Sequence, residues 1–156
     1  METHHYTLDV EWTGNRGQGT RTMSGYGRDH RISAPGKPAI AGSSDPSFRG
    51  DPACWNPEEL LLASLSACHK LWYLGLCAGA GVVVETYRDQ PRGVMVEEAS
   101  GAGQFTIVTL RPTVTIARGS DLKLAEALHE QAHAMCFIAR SVSFPIHRET
   151  TVSVEP

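Results

Sequence analysis

The chain carries four cysteines, Cys54, Cys68, Cys77 and Cys136, and these are the residues with the most chemistry to offer. A thiol acts as a nucleophile only as its thiolate, so its surroundings decide whether it is reactive or inert packing. No two cysteines are spaced C-x-x-C, which removes the zinc-ribbon and thioredoxin-type motifs. The N-terminal run Met1–Tyr6 is polar, without an apolar signal core, and a cytoplasmic protein is expected. In a reducing compartment a structural disulfide framework is not expected, so the thiols are either reactive or small apolar core groups.

Cys68 lies in Leu-Ala-Ser-Leu-Ser-Ala-Cys-His-Lys. On a helix it shares a face with Leu61, Leu65, Trp72 and Gly75 at spacings of three and four. Burial alone would raise its pKa, so reactivity calls for a nearby cation. Arg49, Arg28 and Arg16 are the candidates. Cys136 closes the run Glu-Gln-Ala-His-Ala-Met-Cys, where a helix must end. Cys54 precedes the first helix, and Cys77 falls near its end. These residues alone do not say which pair works together.

The positioning elements follow from pattern. Tyr6, Leu8, Val10 and Trp12 alternate with polar residues, which predicts a strand with one buried face. The Gly-rich turn 13–18 predicts a hairpin with 19–25, and His30–Ser33 a short third strand. Residues 34–55 hold four prolines and read as a long ordered loop. Asn56-Pro57-Glu58-Glu59 predicts a helix start, with Asn as cap, Pro at the first position and Glu59 reaching back. That helix should run to about Ala78. Beyond Glu59 its one full charge is Lys70, so it must be covered nearly all round, and a second copy of the chain is the economical cover. Residues 82–98 and 104–117 predict two strands. Ser120 or Asp121 caps a second helix to about Met135, with Leu124, Leu128, Gln131 and Met135 on one face, and 146–154 closes the sheet. The order βββ-α-ββ-α-β is an α+β arrangement.

The 156 residues suit a single domain, 1–156. Fourteen basic against seventeen acidic residues give a net charge of −3, with no basic stripe, which argues against nucleic acid. The apolar segment 60–80 carries Ser64, Ser66, His69 and Lys70 and reads as a buried helix, not a membrane span.

The run Asn56-Pro57-Glu58-Glu59-Leu60 through Ala67-Cys68, with 133–142, resembles the two cysteine regions of the OsmC/Ohr family. The resemblance implies an OsmC-like fold, an antiparallel sheet wrapped around a long central helix in an intertwined homodimer. It implies a thiol peroxidase without cofactor, in which Cys68 is peroxidatic, Cys136 resolving, and Glu58 pairs with an arginine that supports the thiolate. Arg49 is favoured because its loop leads into the helix, with Arg28 and Arg16 behind it. The expected substrate is an organic hydroperoxide, held by Leu61, Leu65, Trp72 and Phe137. The expected reductant is a lipoyl-type or other small dithiol. His69, Trp55 and Phe137 depart from residues common in that family.

Glu58 and Cys68 stand ~15 Å apart along one helix. Two copies packed antiparallel about Ala63 would bring Glu58 of one level with Cys68 of the other. Two other readings compete. One is a non-catalytic OsmC-like small-molecule-binding or stress protein. The other is a zinc site from Cys68, His69, His133 and Cys136, in which residues 68 and 69 diverge by ~100°. Outside a metal site, His69 and His133 are expected at a helix surface or hydrogen-bonded in an interface.

Overall fold

A computed structural model describes residues 1–156, which form two compact units, Met1–Leu60 and Leu61–Pro156. In the first unit β1 (Asp9–Trp12), β2 (His30–Ser33) and β3 (Ile40–Gly42) form an antiparallel sheet in the order β1-β2-β3. Trp12 lies opposite His30, and Ile32 opposite Ile40. The expected hairpin with residues 19–25 is not formed. The Asn15 side chain accepts from the amides of Gly17 and Gly19 at 2.9 and 3.0 Å, curling the chain into turns. β2 takes the vacant edge of β1 instead. The loop is closed by Gly27 N–H donating to Gly14 O at 2.8 Å and by the Trp12 indole donating to Gly27 O at 2.8 Å. A Cβ on Gly14 would stand 2.0 Å from Gly27 O, so only glycine fits there. Tyr6, Leu8, Val10 and Trp12, expected to be buried, are exposed in the single chain.

The proline-rich segment is ordered. It contains β3 and a 3-10 turn, Pro46–Phe48, capped by Asp45, whose carboxylate accepts from Ser47 N at 2.8 Å. Trp55 then pairs with the backbone of Ala41 and Ser43 and leads into α1 (Pro57–Gly79). The expected capping box is present: Asn56 N–H donates to Glu59 Oε2 at 3.1 Å, and Glu59 N–H to Asn56 Oδ1 at 2.8 Å.

The second unit holds most of α1 together with β4 (Val84–Asp89), β5 (Arg92–Glu97), β6 (Gly103–Leu110), β7 (Pro112–Ile116), α2 (Leu122–Met135), β8 (Ile146–Arg148) and β9 (Thr151–Val154). Each of the two long strands predicted from sequence is broken into two. The breaks lie at Gln90-Pro91 and Arg111, so the hairpin turns a corner and feeds two sheets, β4-β7-β9 and β5-β6-β8. Asp89 Oδ1 accepts from Arg111 N at 2.7 Å, and Arg111 Nε donates to Gln90 O at 2.8 Å, fixing the corner. The 146–154 segment likewise splits into β8 and β9. These pair parallel with β6 and β7, so the sheets are mixed, not wholly antiparallel.

Two apolar groups form the core. Tyr73 and Cys77 of α1 pack with Val114 and Ile116 of β7 and with Ala125, Leu128 and Ala132 of α2. Leu65 packs with Val108 and Leu110 of β6. Asp121 caps α2, accepting from Leu124 N at 3.0 Å. The buried face of α2 is Ala125, Leu128, His129 and Ala132, while Gln131 and Met135, expected to share a face with Leu128, are exposed. By length and composition α1 would suit a bilayer. Its Leu65, His69, Tyr73 and Cys77 are nevertheless buried in the protein. The stripe Ala63, Ala67, Leu71, Gly75 and Ala78 is exposed in the single chain.

Candidate active site

Cys68 sits midway along α1, held by its neighbours on the helix. Two residues before it, Ser66 Oγ donates to Asp89 Oδ2 at 2.5 Å, tying the helix to the corner of the hairpin. Cys136 is the residue at which α2 ends, its backbone already extended and its amide donating to His133 O at 3.2 Å. Its side chain is 1% exposed, and Sγ accepts from Ala139 N at 3.4 Å. Cys68 is half-buried. The fold brings these two thiols, 68 residues apart in the chain, close enough that Cys68 perturbs the ionisation of Cys136. Burial, then the Cys68 thiol, push Cys136 up to about 11, against the opposing pull of the Ala139 and Ile138 amides. A partly accessible thiol therefore stands beside a deeply buried one that keeps its proton at neutral pH.

The other cysteines lie elsewhere. Cys77 is buried in the core, and burial raises its pKa. Cys54 belongs to the first unit, where burial and the charges of Asp51 and Asp29 raise it.

Of the expected apolar lining, Trp72 and Phe137 meet edge to face, with ring centroids 5.5 Å apart. One stands a turn beyond Cys68 and the other follows Cys136. Leu65 is fully buried beneath β6, and Leu61 packs beside it with Ile138 and Ala139. Leu61 and Leu65 therefore belong to the core group under β6 and Trp72 to the other, while Phe137 is 67% exposed.

His69 is neither at a surface nor turned toward the thiols. It is 1% exposed, and its Nε2 hydrogen-bonds His129 Nδ1 at 3.0 Å with the rings parallel to within 4°. The Tyr73 ring stacks on His129 at 3.8 Å, and its hydroxyl donates to Ala125 O at 3.0 Å. Burial, assisted by the Arg148 charge, pushes His69 down to about 4, and burial with His69 and Arg148 pushes His129 to about 3. Burial and Arg148 also lower His133, which Glu130 opposes. His69 thus commits Nε2 to His129 and leaves Nδ1 without a partner. The group of three ligand-type side chains that does converge is Asp29, Asp51 and Cys54, in the other unit. Sequence reasoning missed His129. It sits on the apolar face of α2, and nothing local links it to a histidine sixty residues earlier.

The expected carboxylate–guanidinium pair is not formed within one chain. The ion pair present is Arg148–Glu130. Glu58 is half-buried, and Glu59 alone is used in the cap. Arg28 is committed to its own loop, donating to Tyr26 O at 2.6 Å with its guanidinium 3.9 Å above the Tyr26 ring. Arg16 is exposed in the first loop. Arg49 is exposed and ends the 3-10 turn at φ 66°, a left-handed conformation that few non-glycine residues adopt.

An α+β chain with a cysteine mid-helix and a second cysteine closing the next helix defines a particular class. A family model described as OsmC-like protein matches residues 50–151, and the chain belongs to that family. It is similar to the uncharacterized protein YmaD of Bacillus subtilis, 25% identical over 99% of this chain and 97% of that one. It is also similar to an OsmC-like protein of unknown function from Vibrio cholerae, with TM-score 0.84 and 31% identity over 95% of this chain and 99% of that one. An organic hydroperoxide resistance protein from Elizabethkingia anophelis shares the fold, with TM-score 0.68 and 20% identity over 99% and 100% of the two chains.

Proposed function

We propose that this protein is a cysteine-based peroxidase that reduces organic hydroperoxides to alcohols. The observation that carries the reading is that half-buried Cys68 lies close enough to buried Cys136 to raise its pKa. The Cys68 thiolate attacks the terminal oxygen of the hydroperoxide. The S–O bond forms as the O–O bond breaks, and the alkoxide leaves and takes a proton to become the alcohol. Cys68 is then a sulfenic acid. Cys136 attacks that sulfur, the S–S bond forms, and hydroxide leaves with the Cys136 proton as water. A small dithiol, lipoyl-type or similar, returns both sulfurs to thiols. Because Cys136 keeps its proton until the sulfenic acid exists, it does not compete for peroxide. Leu61, Leu65, Trp72 and Phe137 would favour an alkyl or aryl hydroperoxide over hydrogen peroxide.

Glu58 and an arginine, Arg49 first, complete the site in a homodimer. What supports this is the exposed stripe Ala63, Ala67, Leu71, Gly75 and Ala78 on an apolar helix, with Leu71 65% exposed. Packing of two α1 helices there would cover the stripe, and Glu58, unpaired in one chain, would gain a guanidinium partner. The test is consumption of cumene hydroperoxide with dihydrolipoamide. Wild type should turn over, Cys68→Ser should be inactive, and Cys136→Ser should give one turnover and then stall. Undiminished activity in Cys68→Ser would remove the assignment.

A further inference from the structure

We propose that the buried His69–His129 pair is a positioning clasp that sets the register of α1 against α2 and so holds Cys136 within reach of the Cys68 sulfur. The proposal deepens the peroxidase reading and rests on it for its part in turnover.

Two hydrogen bonds cross between the two helices: Tyr73 Oη donates to Ala125 O at 3.0 Å, and His69 Nε2 meets His129 Nδ1 at 3.0 Å; Cys68 also lies close enough to Cys136 to perturb it. From Tyr73 back to His69 is four residues on α1, and from Ala125 forward to His129 is four residues on α2. The rungs therefore advance by ~6 Å on both helices, as an antiparallel pair requires. Beyond the His pair the advance is unequal: Cys68 adjoins His69, whereas Cys136 lies seven residues past His129, at the residue where α2 stops.

Apolar packing alone tolerates small slides between helices. A hydrogen bond between two side chains that are 1% and 3% exposed does not, because a slide strands a nitrogen with neither partner nor water. His69 Nδ1 and His129 Nε2 already lack partners, so the shared bond is the one polar contact that either ring makes. A disulfide forms only over a narrow range of Cα separations, so a slide of one or two ångströms takes Cys136 out of line for the sulfenic sulfur. In this pair one nitrogen donates and the other accepts, and an amide can replace either. Asn at 129 offers an amide atom near the Nδ1 position, and Gln at 69 offers one near Nε2.

The test measures the effective concentration of the Cys68–Cys136 pair in a glutathione redox buffer, with Cys54 and Cys77 replaced by Ser. His69→Leu and His129→Leu should each lower it roughly tenfold or more. His69→Gln and His129→Asn should stay near wild type. Leu110→Ala, a core truncation away from the clasp, should lower stability without moving the value. After one equivalent of cumene hydroperoxide, mass spectrometry should show the Leu variants accumulating sulfinic Cys68 where wild type forms the disulfide. If the Leu variants do not fold, His69→Asn, whose shorter side chain cannot reach the Nε2 position, serves as the open clasp. Equal effective concentrations in wild type and every open-clasp variant would overturn the proposal, as would an equal drop in Leu110→Ala. If wild type forms the disulfide in glutathione buffer but ignores hydroperoxide, the peroxidase reading fails while the clasp is still scored by the redox buffer.

Discussion

Acidification from pH 7 to about pH 4.5 should loosen the second unit through His69 and His129. His69 falls from the usual 6.5 to about 4 because burial penalises its charged form and Arg148 and His133 add to the penalty. Between pH 4 and 6.5 the unfolded chain therefore binds a proton that the native chain refuses. Stability is complete above 6.5 and declines as pH falls through that window. A shift of about 2.5 pKa units at ~1.4 kcal/mol per unit gives about 3 kcal/mol lost by pH 4 for a single proton. His129, at about 3, also refuses in that window the proton its unfolded form binds, so its loss adds in the same direction to that of His69. Groups facing the pair do not cancel the effect. Tyr73 is pushed above its ordinary range by burial and stays neutral, and His133 is lowered in the same sense. Urea unfolding at fixed protein concentration reads the loss, and His69 alone should lower the midpoint by about 1 to 3 M for an m-value of ~1–3 kcal/mol/M. The double variant His69→Gln/His129→Asn carries neither titrating ring and should lack this part of the slope. A wild-type slope between pH 6.5 and 4.5 no steeper than that of the double variant would refute the reasoning.

Alkylation mapped by mass spectrometry should label Cys68 and Cys54 well before Cys136 and Cys77, both 1% exposed. The Cys136 rate should keep rising about tenfold per pH unit through pH 9, as a thiol at about 11 requires. Leu65→Ala empties a site 1% exposed under β6 and should cost about 2–5 kcal/mol in thermal or urea unfolding. Leu71→Glu puts a charge on the exposed stripe of α1 and should convert a dimer to a monomer in light scattering. An unchanged mass would remove that face from the interface.

Both helices were legible because their ends are local chemistry. Asn56-Pro57-Glu58-Glu59 fixes the start of α1 through its own side chains, and Asp121 does the same for α2. Strand pairing was less legible because it is settled at a distance. Residues 19–25 lost β1 to β2 once Asn15 curled the intervening loop, and no local signal marks the parallel pairing of β8 and β9. The corner at Asp89 and Arg111 was hinted at by Pro91 and Pro112, but the carboxylate that fixes it is a contact 22 residues away. The buried face of α2 was not legible because His129 enters the core only through a partner on α1, sixty residues earlier. The cysteine pair itself could not be picked from the residue pattern alone, and the family resemblance supplied the choice.

Asp89 is a shared hinge pin. One oxygen fastens the bend in the hairpin through Arg111, and the other holds Ser66, two residues from Cys68. A lengthened side chain there would misplace both attachments at once. An amide could serve only with its oxygen toward Arg111 and the Ser66 hydroxyl turned round to accept. Positions 66 and 89 are thus mechanically linked, and drift at one should be answered at the other across relatives that keep the bend.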